Sequence, residues 1–99
     1  MKKQERITKH NVNIKDFLFS ITLEEFDNQI KIKVFKEDAF CKILLNKYGQ
    51  DVNELKKDII KVCKNWIEEL TGNPYYHIIS DPIFVFTWEK FLYEVNFSD

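Results

Sequence analysis

The clearest pattern in this sequence is a strict alternation of apolar and polar positions between residues 15 and 35. The alternating apolar residues are Phe17, Phe19, Ile21, Leu23, Ile30, Ile32 and Val34. A period of two is typical of strands that bury one face. Asp27 and Asn28 interrupt the alternation, and both tolerate the left-handed conformations that tight hairpins require. The pattern therefore predicts a β-hairpin over residues 15–35.

The apolar spacing becomes helical from residue 37 onward. A first helix is predicted to end at Gly49, and a second begins where Asp51 and Glu54 form an Asp-x-x-Glu capping pattern. Gly72 followed by Pro74 is the usual order of residues after a helix C-terminus. Two consecutive helices are thus expected between the hairpin and residue 72.

The last segment is aromatic, and its pattern admits two interpretations. Aromatic residues occupy the even positions of 83–88, and apolar residues occupy the odd positions after Glu89-Lys90. This reversal of phase predicts a second hairpin with its turn at Glu89-Lys90. Phe84, Trp88 and Phe91 also fit one face of a helix, so a partly helical segment is the alternative. Aromatic and β-branched content favours strands. The expected order is ββααββ, an α+β domain with two helices on one face of an antiparallel sheet.

Length and charge narrow the class of protein. Ninety-nine residues suffice for one domain, and residues 1–13 lack any period, which predicts a flexible N-terminal arm before a single domain over 14–99. Fifteen basic against sixteen acidic residues argue against bulk attraction to nucleic acid. No apolar run approaches the ~20 residues of a membrane span, and no signal-peptide core follows the N-terminus. We expect a cytoplasmic protein without a membrane partner.

Two features of composition concern origin and redox state. Fourteen of the fifteen basic residues are lysine and Ala39 is the only alanine, which indicates an AT-rich genome. Cys41 and Cys63 are the only cysteines and fall within the helical patterns. Small secreted domains carry more cysteines, so both thiols are expected to be reduced and buried.

Several chemistries find no support in the sequence. Both glycines serve as predicted helix caps, which leaves none for a phosphate-binding loop. His10, Cys41, Cys63 and His77 are separated by 31, 22 and 14 residues, without the short-spaced pair that metal sites use. We expect no metal and no cofactor. A small enzyme in which Asp81 orients His77 as a base is the catalytic alternative.

Binding is the favoured function, because aromatic and acidic residues are concentrated near the C-terminus. Residues 65–99 contain six acidic residues and one lysine. Trp88, Tyr93 and Phe91 are the candidate anchors, with Glu89 and Glu94 as a charged rim. We expect a non-enzymatic protein-binding domain, of the kind that includes inhibitors, immunity proteins and anti-defence proteins. Its partner would be a larger protein with a basic surface.

Two features of the sequence indicate further kinds of partner. Both faces of the first part of the predicted last hairpin carry apolar residues. The face that the helices leave uncovered would meet another chain or a second copy in a homodimer, or would be covered by the N-terminal arm or by residues 71–80. Lys57, Lys61 and Lys64 recur at helical spacing and could contact nucleic acid phosphates, which would make the chain a nucleic-acid-associated regulator. The near absence of arginine makes nucleic acid the weaker prediction.

Overall fold

The computed structural model describes residues 4–38, 40–48 and 52–99. The elements are strands β1 (Gln4–Ile14), β2 (Phe17–Phe26) and β3 (Gln29–Lys36), helices α1 (Phe40–Tyr48) and α2 (Asn53–Thr71), and strands β4 (His77–Ile78), β5 (Ile83–Phe86) and β6 (Phe91–Ser98). All these strands form one antiparallel sheet in the order β1-β2-β3-β6-β4, with β5 also paired to β6. The α+β class is confirmed, with more strands than the predicted order contains.

One face of the sheet and both helices share a single hydrophobic core. Alternate residues of β2, β3 and β6 point into this core, and the opposite residues of the same strands face outward. The helices contribute Cys41, Leu44, Leu55, Ile59, Cys63 and Ile67. The alternation predicted for residues 15–35 is confirmed, because every apolar position in it is buried.

Both cysteines are buried and free, as predicted. The Cys41 thiol donates a hydrogen bond to the Lys36 carbonyl, with a sulfur–oxygen distance of 3.3 Å. Burial raises the pKa of the Cys63 thiol to about 12. A thiol with such a pKa is a poor nucleophile at neutral pH, so Cys63 acts as a small core residue.

Residues Gln4–Ile14 form strand β1, where the sequence pattern predicted a loose arm over residues 1–13. β1 pairs with β2 from Arg6↔Glu25 to Ile14↔Phe17. It is an edge strand, and among its described side chains those of Val12 and Ile14 pack in or against the core. Few β1 residues are apolar, because backbone pairing with β2 holds this strand in place and few of its side chains are buried.

The two N-terminal hairpins use different turns. Between β1 and β2, Lys15 and Asp16 both have positive φ angles, of 53° and 72°, as a type I′ turn requires. Between β2 and β3, the turn falls at Asp27–Asn28 as predicted. Neither of these two residues has a positive φ angle, so the expected left-handed backbone is wrong there. A hydrogen bond connects this turn to the C-terminal residue of the chain, since the Asn28 carbonyl accepts from the Asp99 amide at 3.2 Å.

The C-terminal segment is a β5–β6 hairpin, and the helical alternative is wrong. β4 and β5 pair with the same edge of β6, and residues 79–82 interrupt them. Helix α2 ends as predicted, since Gly72 has a φ angle of 73° and its amide donates to the Glu68 carbonyl at 2.7 Å. The predicted caps Gly49 and Asp51 lie outside the described residues. Of the helices described, neither has the length and apolarity that a membrane crossing requires.

Candidate functional site

A groove at one end of the sheet brings together residues from three parts of the chain. Lys36 at the end of β3 pairs with Phe91 at the start of β6. The residues just beyond these two positions therefore meet at the same end of the sheet. Glu37 and Asp38 follow β3, and Trp88 and Glu89 precede β6. Together with Lys42 of α1 they line a cavity of about 440 Å³, which we call the Trp88 groove.

Trp88 is held in this groove by a hydrogen-bonded loop. The Thr87 amide donates to the Lys90 carbonyl at 2.8 Å. The Thr87 hydroxyl oxygen accepts from the Lys90 amide at 3.1 Å and from the Glu89 amide at 3.3 Å. Trp88 nevertheless remains 52% exposed. A large aromatic side chain on an ordered loop loses little conformational entropy when a partner covers it.

The electrostatics of the groove favour a cation. Three carboxylates line it, and Lys42 is the one ammonium among the lining residues. Asp38 accepts a hydrogen bond from Lys36 Nζ at 3.1 Å. Glu37 and Glu89 are exposed, and neither forms an ion pair within the part of the chain that the structure describes. Lys42 Nζ lies 5.5 Å from the centre of the Trp88 ring, so this aromatic face already accommodates a positive charge.

The Lys36 side chain holds one residue of the groove wall in position. Only 7% of it is exposed, and its ammonium also donates to the Leu18 carbonyl at 2.9 Å. A buried lysine must have such partners, because an uncompensated charge in the core would be costly. Lys36 thus fixes Asp38 at the wall of the groove.

Of the five predicted docking residues, two lie in the Trp88 groove. Trp88 and Glu89 meet there, as described. Phe91 is fully buried and Tyr93 is only 6% exposed, so the expectation that they anchor a partner is corrected: both are core residues. Glu94 lies on the outer face of the sheet, where its carboxylate pairs with Lys31 at 3.5 Å.

Sequence reasoning missed Glu37, Asp38 and Lys42. They are distant in sequence from Trp88, and they reach it only because β3 and β6 are neighbours in the sheet. No local pattern in the chain reveals that pairing. Phe91 and Tyr93 are alternate residues of β6, and their side chains point into the core. Trp88 lies in the loop before β6 and remains at the surface.

The face of the sheet opposite the helices carries a short apolar row. Phe35, Leu92 and Val85 are neighbours across three strands, and Ile83 lies two residues before Val85 on the same face of β5. Ile83 is half-exposed. Phe84 and Phe86 point to the other face and pack against the core. β5 is therefore apolar on both faces, as predicted. β1 extends the sheet sideways and does not cover the row.

The predicted lysine stripe is exposed along α2. Lys57, Lys61 and Lys64 all face solvent, and Glu54 and Glu68 are exposed on the same side of the helix. The carboxylates interrupt the positive charge of the stripe. Nearby, Lys56 Nζ lies 4.0 Å from the centre of the Phe84 ring, which ties this lysine to the sheet.

The predicted catalytic pair is not assembled. His77 and Asp81 are both exposed, and no hydrogen bond or ion pair joins them. His10, the other histidine, packs against Trp66 with 5.9 Å between ring centres. Among the described residues, no group of three or more His, Cys, Asp or Glu side chains is placed to hold a metal ion.

Comparisons with protein-family models, with curated proteins and with solved structures find no match to this chain. No residue role is therefore transferred from another protein, and the chemistry of the Trp88 groove follows from its own side chains.

Proposed function

We propose that this chain is a non-enzymatic protein-binding domain that docks on a basic surface of a larger partner through the Trp88 groove. The observation that carries the proposal is a half-exposed tryptophan on an ordered loop, bordered by Glu37, Asp38 and Glu89. Tryptophan is enriched among the few residues that contribute most of the binding energy at protein interfaces, where surrounding contacts exclude water. The surrounding carboxylates supply charge complementarity, which sets specificity and the association rate.

An arginine side chain is the group that fits the groove best. Its guanidinium plane would stack on Trp88 and donate to the carboxylates of Glu37 and Glu89, in place of the Lys42 ammonium. A cation on an aromatic face contributes roughly 0.5–2 kcal/mol, more as water is excluded. Guanidinium is more weakly hydrated than ammonium and donates in a planar fork, so it can displace a lysine.

The class of binding protein is inferred from size and composition. A single small domain with lysine-rich, alanine-poor composition is consistent with a cytoplasmic inhibitor, immunity protein or anti-defence protein of a bacterium or phage with an AT-rich genome. Such proteins act by covering a functional surface of a larger target.

The test is capture of partners from a nuclease-treated host lysate by the tagged chain, quantified by mass spectrometry. Trp88→Ala and Glu89→Lys should each reduce the amount of the captured partner at least about fivefold, since they remove the anchor or reverse the rim charge. Tyr75→Ala is the matched control. Tyr75 is 80% exposed and lies beyond the far end of the sheet, so its loss should leave capture unchanged. Equal losses from all three variants, or from none, would contradict the proposal.

The second candidate is a nucleic-acid-associated regulator that uses Lys57, Lys61 and Lys64. The exposure of all three lysines on one face of α2 favours it. Its signature is binding to DNA or RNA that weakens steeply with salt, because phosphate contacts release counterions. Recovery that collapses after nuclease treatment, and that Lys61→Glu abolishes while Trp88→Ala does not, would select this candidate.

A further inference from the structure

β1 leaves one long edge of the sheet open. It is the terminal strand in the sheet order, and β2 occupies only one of its sides. β1 contains no proline and no glycine, and no described element covers its outer edge. Natural edge strands are protected by short length, proline, bulges, lysine or a covering element, because unpaired backbone groups invite another strand. Of these features β1 has Lys9 and a register shift near its start, which leave residues 10–14 without such protection. We propose that β1 pairs antiparallel with β1 of a second copy, which joins the two sheets into one symmetric dimer.

The register of this pairing follows from the strand itself. The ladder with β2 shifts between Gln4 and Arg6, so the regular part of β1 spans residues 6–14. His10 is the midpoint of that span. A two-fold axis at His10 therefore gives the greatest overlap of regular backbone between two copies.

Charge disfavours one neighbouring register. With the axis at His10, Lys9 lies opposite Asn11 of the second copy, and Thr8 lies opposite Val12. A shift that centres the axis on Lys9 would place two lysines directly opposite each other, which is destabilising. The only cations of the regular span are Arg6 and Lys9. Neither meets a like charge in the His10-centred pairing.

The helix side of β1 offers apolar surface that a second copy would bury. A shallow groove of about 210 Å³ runs between β1 and α2 and is lined by His10, Val12, Val62, Asn65, Trp66 and Glu69. Trp66, Val12 and Val62 are only half-buried there. Because Trp66 packs on His10, an axis at His10 brings the Trp66 side chains of both copies toward each other. Removal of this surface from water would stabilise the dimer.

The dimer does not depend on the proposed docking function. The Trp88 groove lies where β3 ends and β6 begins, and β2 separates both of these strands from β1 in the sheet. Both grooves of a dimer would remain open, which would allow two partners or one bivalent partner to bind.

The first test is the molar mass of the full chain in solution, measured by sedimentation equilibrium over a range of concentrations. The expected mass at high concentration is twice that of the 12.0 kDa chain. Asn11→Lys creates two Lys–Lys contacts with Lys9 and should raise the dimer dissociation constant about three- to tenfold. Asn11→Glu at the same exposed position should lower it by a similar factor. Asn46→Lys and Asn46→Glu make the same charge changes on exposed α1 and should have no effect.

Cysteine cross-linking tests the register directly. His10→Cys should form a covalent dimer under mild oxidation with oxidised glutathione, because each new thiol faces its own copy across the axis. Thr8→Cys should not, because Val12 lies opposite it. Cys41 and Cys63 are buried and do not compete. A mass of 12.0 kDa at every concentration would overturn the proposal. So would equal shifts from Asn11→Lys and Asn11→Glu, or equal cross-linking of the two cysteine variants.

Discussion

Asp16 adopts a left-handed backbone conformation that aspartate tolerates but glycine adopts at lower cost. Its φ angle is 72°, and Lys15 before it has a φ angle of 53°. Left-handed conformations cost most residues roughly 1–2 kcal/mol, and glycine is free of this cost. We therefore expect Asp16→Gly to increase the free energy of unfolding by about 0.5–1 kcal/mol in urea titrations.

Asp27→Gly is the matched control for this prediction, because Asp27 occupies a turn without a positive φ angle. There the glycine only adds freedom to the unfolded chain and should lower the free energy of unfolding by about 0.4–1 kcal/mol. Changes of the same sign in both variants would contradict this interpretation of the two turns.

Cys63 should make the free energy of unfolding depend on pH in the alkaline range. Burial raises the pKa of its thiol from 9.0 to about 12, so the folded chain holds this proton more tightly than the unfolded chain. The stabilisation from the protonated thiol is constant below the pKa that the thiol has in the unfolded chain. It is lost as pH rises through the window from 9 to 12. The free energy of unfolding of the native sequence should therefore fall more steeply over this window than that of Cys63→Ala. Parallel curves from urea titrations across the window would show that the thiol remains accessible to water.

At the scale of elements, the C-terminus of α2 is the boundary that the sequence specified best. Gly72 has a φ angle of 73°, and a Cβ atom placed on it would meet nothing within 4 Å. Gly72→Ala should therefore cost about 1 kcal/mol of unfolding free energy through the backbone alone. Gly72→Asn should cost less, since asparagine tolerates this conformation. Thermal unfolding of both variants checks this, and a greater loss for asparagine would refute it.

Strands were predictable where one face is buried and the other exposed. β2 and β3 show this alternation over most of their length, and the hairpin between them lay where Asp27–Asn28 indicated. β1 was not predictable, because its positions include Lys9, His10, Asn11 and Asn13, as an edge strand permits. Lys15–Asp16 is also poor type I′ turn chemistry, so no turn signal marked the start of the first hairpin.

At the scale of the whole molecule, the candidate site depends on a pairing between distant segments. β6, the last strand in the chain, lies between β3 and the β4–β5 edge. This places Glu37 and Asp38 beside Trp88 and Glu89. The sequence indicated an acidic and aromatic surface near the C-terminus, but it could not show which aromatic residues point into the core. The phase reversal at Glu89–Lys90 located the loop, and the pairing of Lys36 with Phe91 located its partners.

The affinity of the purified captured partner for the chain, measured by isothermal titration calorimetry, tests the docking function most directly. If Trp88 is the anchor, Trp88→Ala should raise the dissociation constant at least about tenfold, which corresponds to roughly 1.4 kcal/mol. Tyr75→Ala, which removes an aromatic residue that is 80% exposed, should stay within about twofold of the native value. An unchanged dissociation constant for Trp88→Ala would show that the partner binds elsewhere on the molecule.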